Sequence, residues 1–215
     1  MPFPALAAVA ALATFAHLAR RSPLGSRAGG VDLQPDVPDD VLDRYSDLSS
    51  ILSDVQAEIR SIGRSARMNL SDFASSLMQE MLEVEGFTVL GRGGGRVVVD
   101  LGSGYVAKLA SWQGGRNQNK REFKIWTSAK GELREMLVPI LRLDEAGSMV
   151  LAPRVVPVDD LLHAADRTQA KEAEDMLGQA MSRIRPLMPE TIADSDFDFN
   201  WGFHDGKLKL LDYGQ

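Results

Sequence analysis

The sequence predicts an α+β protein in which helices come first and a strand-bearing part follows, opening on an antiparallel three-strand meander. Three observations carry this. From Val41 the apolar residues recur at alternating steps of four and three, which is the period of one helix face. After Gly86 the pattern changes to short Val- and Leu-rich runs broken by glycine turns, as in a strand meander. The chain of 215 residues is 44% apolar and 25% charged, the balance of a globular protein and not of one disordered throughout.

Composition also excludes chemistry. There is no cysteine, hence no disulfide framework, thiolate metal site or cysteine nucleophile. His17, His163 and His204 are far apart, so a His-rich metal site is not expected. The net charge of -6 argues against general nucleic-acid binding. That charge is uneven. Residues 1–31 carry Arg20, Arg21 and Arg27 with no acid, and the rest carries 21 basic and 30 acidic side chains. Such asymmetry marks a segment with a separate task.

The N-terminal region divides into 1–21, an apolar helix, and 22–38, a linker rich in Gly and Pro. Phe3 to Ala19 is Ala-rich and nearly uncharged. It sits at the short edge of a membrane span and lacks a basic segment before it, so a secretory signal fits poorly. A helix buried on a partner or on the chain's own body, a membrane anchor through residues 3–19, and a processed leader all remain open.

Residues 39–86 form a helical segment. Asp39 and Asp40 suit a helix N-terminus. Val41, Tyr45, Leu48, Leu52, Val55, Ile59 and Ile62 follow a heptad a/d pattern, and Gly63 is expected to stop the helix. Either this stripe forms a coiled coil that sets the oligomeric state, or it packs on its own domain, with Leu42 and Ile51 widening the apolar face. A second amphipathic helix follows Ser71, carries Phe73, Leu77 and Met81, and ends at Gly86.

Residues 87–215 read as the sheet-bearing domain. Phe87–Leu90, Arg96–Leu101 and Tyr105–Ala110 are three strands, the first turn holding Gly91, Gly93 and Gly95. Glycine there makes either an ordinary hairpin or a backbone that approaches a phosphate closely. Lys108 stands inside an apolar strand, where an ammonium needs a partner. The helix from Asn119 to Trp126 offers Glu122. Leu137–Leu141 and Ser148–Pro153 are two further strands, and helix runs from about Thr168 to Ile184. The chain then reads Asn200-Trp-Gly202, a hairpin through Asp205-Gly206, and Asp212-Tyr-Gly214.

This order of glycine loop, strand Lys, helix Glu, Asn-x-Gly and Asp-Tyr-Gly resembles the protein-kinase-like fold superfamily over residues 87–215. It is most similar to small prokaryotic and phage kinase-like proteins. The resemblance implies an upper lobe, made of an antiparallel five-stranded sheet plus one helix, and a minimal lower lobe, preceded by the N-terminal helices. It implies ATP and Mg²⁺ as cofactors. Gly91, Gly93 and Gly95 would cover the phosphates. Lys108 would contact them, oriented by Glu122. Asn200 and Asp212 would hold the metal, and backbone near Leu151 and Ala152, as far as Arg154, would meet adenine.

Several positions depart from the pattern. The catalytic-base position, five residues before Asn200, is Ser195, so Asp196 becomes the candidate base after a one-residue shift. The third loop glycine is replaced by Arg96, which either caps a phosphate or fills the nucleotide site. The sequence reaches only Gln215 after Asp212-Tyr-Gly214, so no activation segment or usual peptide-substrate site is expected. The resulting expectation is a nucleotide-binding pseudokinase-like protein. The alternatives are a structural, virion or assembly subunit that reuses the fold as a scaffold, and an active minimal kinase. Residues 1–62 would then serve a homo-oligomer or larger assembly, in an intracellular or virion setting, with membrane association through residues 3–19 open.

Overall fold

The computed structural model describes residues 37–66, 70–93, 95–164, 167–187 and 200–213. The apolar segment 3–19, most of the linker, and Ser195 and Asp196 lie outside the described residues. Among the described residues, no helix is long and apolar enough to cross a membrane.

The architecture is α+β. Helix α1 (Asp39–Ala66) and helix α2 (Leu70–Val84) precede strands β1 (Val89–Arg92), β2 (Arg96–Gly102) and β3 (Tyr105–Ala110). Helices α3 (Gln113–Ser128) and α4 (Gly131–Met136) lead to β4 (Arg142–Leu143), β5 (Met149–Pro153) and β6 (Val156–Pro157). Helices α5 (Val158–Ala164) and α6 (Arg167–Ile184) come next, then β7 (Trp201–His204) and β8 (Lys207–Leu210). The first sheet has the antiparallel order β1-β2-β3-β5-β4, and β6-β7-β8 form a second. The two hairpin turns Ser103-Gly104 and Asp205-Gly206 carry positive φ at both residues, as a two-residue turn matched to strand twist requires.

Side-chain alternation divides the main sheet into two differently used faces. Val97, Val99 and Leu101 of β2, Ala107 and Leu109 of β3, and Met149 and Leu151 of β5 join the core beneath α1 and α2. Val106, Val150 and Ala152 belong instead to a second core with α6, Trp201, Leu210 and Tyr213, on which Val98 of β2 also packs. Because β2 and β3 are covered on both faces, they read as nearly continuous Val/Ala/Leu runs with no clean polar alternation.

The heptad stripe is used within the chain. Val41, Tyr45, Leu48, Leu52, Val55 and Ile59 are all buried against the sheet, and Leu42 and Ile51 flank them as the wider face requires. Tyr45 also donates its hydroxyl to the Met149 carbonyl at 3.4 Å. Helices α1 and α2 therefore share one core with the sheet, and the boundary expected at residues 86/87 is not a boundary between cores.

Three sequence expectations are corrected. Helix α1 runs through Gly63 to Ala66, since one helical glycine costs only about 1 kcal/mol. Leu137–Leu141 is not a strand, because Pro139 has no N–H to donate to a ladder. The Val138 N–H instead donates to the Leu210 carbonyl at 3.1 Å, and the strand beside β5 is Arg142–Leu143. Helix α3 begins at Gln113, six residues before the expected start, which brings Gln118 into the same helix as Glu122.

Candidate functional site

A cleft of about 640 Å³ opens on the second face of the main sheet. Period-two alternation puts Arg96, Val98, Val106 and Lys108 on its wall, with Gly91, Gly93 and Gly95 along one rim. Register fixes their order, since Val98 pairs with Lys108 and Arg96 with Ala110. Lys108 is therefore the diagonal neighbour of Arg96 on one face. The opposite wall comes from Ala152 to Pro157, Asn200, Leu211 and Asp212.

The hairpin β7–β8 explains how Asn200 and Asp212 meet. Trp201 pairs with Leu210, and the Leu211 N–H donates to the Asn200 carbonyl at 2.7 Å. Both residues thus leave the same end of one hairpin. The Tyr213 hydroxyl donates to the Val138 carbonyl at 2.8 Å and fastens that end under the sheet. Burial pushes the Tyr213 hydroxyl far above its ordinary pKa, with Glu122 adding to the effect, so it stays protonated as a donor.

Four charged side chains converge in the cleft. Lys108 Nζ lies 3.0 Å from Glu122 Oε2, as the sequence led one to expect. It also donates to the Leu211 carbonyl at 2.6 Å. Arg96 forks across both carboxylates, with Nη1 at 2.7 Å from Glu122 Oε1 and Nη2 at 2.8 Å from Asp212 Oδ2. The remaining oxygen of Asp212 accepts from Gln118 Nε2 at 2.8 Å. Every oxygen of the two carboxylates therefore has a donor, and the charges of the four residues cancel. The network is well shielded, the side chains of Glu122, Arg96, Lys108 and Asp212 being 0%, 8%, 11% and 22% exposed.

The same geometry sets the titration behaviour. Burial works to raise the Asp212 carboxyl, but Arg96 and Lys108 more than offset it and hold the group well below the usual carboxylate range. Burial likewise opposes the Arg96 charge, and Glu122 and Asp212 outweigh it. A depressed carboxylate stabilises the fold above its unfolded pKa. The contribution of Asp212 is therefore complete at neutral and mildly acidic pH and is lost only in strong acid.

The structure separates the residues singled out in the sequence. Lys108, Glu122 and Asp212 are joined by the ion network, and Asn200 lines the same cleft. Leu151 belongs elsewhere. Its side chain lies in the α1 core and its carbonyl accepts from Leu141 at 2.9 Å, so the wall runs from Ala152 onward. Sequence reasoning missed Gln118 and Asn119. Asn119 Oδ1 accepts from Arg96 at 3.3 Å and its amide donates to the Gly147 carbonyl at 3.0 Å. Their spacing from Glu122, four residues for Gln118 and three for Asn119, was the available signal.

The glycines also separate. A Cβ on Gly91 or Gly93 would meet nothing within 4 Å, whereas one on Gly95 would lie 2.9 Å from Trp112 Nε1. On Gly115, at the start of α3, it would clash with the Gly95 carbonyl oxygen. Hairpin base and helix thus approach as glycine against glycine. Gly115→Ala is expected to cost about 1–3 kcal/mol, read as a lower Tm, because both clashing groups are backbone. Gly93→Ala should leave Tm nearly unchanged, and equal effects of the two would contradict this packing.

The carboxylate oxygens that a divalent metal would need each have a donor within the chain. Two open glycines and the cationic ends of Arg96 and Lys108 border the cleft. Among the described residues no group of three His, Asp or Glu side chains could hold a metal ion. No protein-family model, curated protein or solved structure matches the chain.

Proposed function

We propose that the chain is a kinase-like nucleotide-binding protein that does not transfer phosphate. The observation that carries this reading is the joining of Lys108, Glu122 and Arg96 beneath a glycine hairpin, in a cleft of nucleotide size. In this reading the base packs between Val98, Val106 and Ala152, and the phosphates lie under Gly91 and Gly93 toward Lys108. Glu122 holds Lys108 in place. Arg96 engages Asp212 and keeps that carboxylate from acting as a ligand.

ATP at a hundredfold excess over its Kd should stabilise the fold by about 2.7 kcal/mol. For a chain of this size that raises Tm by roughly 5–10 °C. Lys108→Met should abolish the shift, and ADP formation should stay at background. Absence of any shift at millimolar ATP would overturn the proposal. The alternative is a structural subunit that reuses the fold as a scaffold. It is favoured by a different observation, that all four charges of the network already have partners within the chain. Measurable turnover, lost in Asp196→Asn, would instead support the active-kinase reading.

A further inference from the structure

We infer that Arg96 is a tethered cation standing between the two carboxylates that would otherwise hold a dissociable divalent metal, so that the cleft binds its nucleotide phosphate without one. The inference rests on the nucleotide reading above and specifies its chemistry.

A divalent cation needs carboxylate lone pairs, and magnesium in particular needs near-octahedral oxygen coordination with several retained waters. Here each of those oxygens already accepts from a side-chain donor, which a metal would have to crowd or displace. Glu122 gives one oxygen to Arg96 and the other to Lys108. Asp212 gives one to Arg96 and the other to Gln118. The planar guanidinium matches this geometry, with one nitrogen toward each carboxylate, and its charge does not dissociate. Arg96 cannot drift from the site, because it is anchored in β2 opposite Ala110, where the Gly93 N–H donates to its carbonyl at 2.9 Å.

The walls carry donors and no net excess of charge. Arg92, Arg96, Lys108 and Arg154 line the cleft with Asp160 and Asp212, and Glu122 and Asp100, paired with Lys108 and Arg154, complete the balance. A phosphate entering under Gly91 and Gly93 meets the side-chain donors of Arg96 and Lys108 where a metal ion would otherwise stand. The ligand class is a nucleotide taken as the free anion.

The test uses the full chain and two probes. The first is ATP, titrated calorimetrically in excess EDTA and again in excess Mg²⁺. Kd is expected to agree within about threefold between the two. The second is Mn²⁺ alone, followed by the paramagnetic resonance of the free ion. Wild type should leave millimolar Mn²⁺ free, and Arg96→Met, which releases Asp212 and Glu122, should bind it and gain Tm on its addition. If Arg96→Met does not fold, Arg96→Lys serves, with a single ammonium that cannot span both carboxylates.

Each outcome decides something. ATP binding that weakens tenfold or more in EDTA overturns the inference and leaves the nucleotide reading intact. Tight Mn²⁺ binding by wild type overturns it as well. Absence of ATP binding in both buffers removes the nucleotide reading and with it the ligand class. Retained exclusion of Mn²⁺ by a folded Arg96 variant shows that the arginine is not the excluding group.

Discussion

Replacing Glu122 by alanine is expected to lower Tm by roughly 6–20 °C. Glu122 is fully buried and is shared by Arg96 and Lys108. Removing one member of a buried ion network leaves the partner charges uncompensated, a loss of about 3–5 kcal/mol. Each kcal/mol moves Tm by about 2–4 °C in a chain of this size. Arg96 keeps Asp212, and Lys108 keeps the Leu211 carbonyl, so the effect should fall toward the lower end of that range. Glu122→Gln retains the shape without the charge and should cost less. Thermal unfolding followed by circular dichroism gives the answer, and a Tm within two degrees of wild type for Glu122→Ala would show that the network is not a support of the fold.

Leu48→Ala should cost about 2–5 kcal/mol without altering oligomeric state. Leu48 sits at the middle of the α1 stripe, is wholly buried, and packs into the core shared with Val97, Val99 and Leu101. A coiled coil would give a different result. There the same substitution would shift the sedimentation profile toward monomer and change the stability of the isolated chain little. The paired measurement of Tm and sedimentation therefore distinguishes a stripe that serves the chain's own sheet from one that recruits a second helix.

Much of the fold was legible where local pattern and tertiary use agree. The β2–β3 meander and the β7–β8 hairpin follow from short apolar or alternating runs and from turns whose glycines, with Asp205 in the second, tolerate positive φ. Lys108–Glu122 was legible because a cation in an apolar strand demands a counter-charge and the next helix holds one. Helices α4 and α5 were missed, since six or seven residues are too few to display a helical period. The apolar run around Pro139 mimicked a strand because composition does not report which N–H groups have a partner. Arg96 could be read two ways, as a phosphate cap or as a filler. The deciding residue, Asp212, is remote in sequence, and only the register of two separate hairpins brings it within 2.8 Å.

That remoteness bears on the order in which the molecule assembles. Lys108 and Leu211 are 103 residues apart, Gln118 and Asp212 are 94 apart, and Val138 and Tyr213 are 75 apart. Contacts across such spans close large loops, and the entropy of closure must be met before the contacts return anything. The β1–β2–β3 meander can condense through near neighbours, whereas the α1 core, where Tyr45 meets Met149 across 104 residues, and the segment from Asn200 to Tyr213 both close large loops. Local opening of that last segment, lifting as a clasp, would open the cleft. Docking of that segment and completion of the cleft are then a single event, so a ligand bound in the cleft would resist that opening.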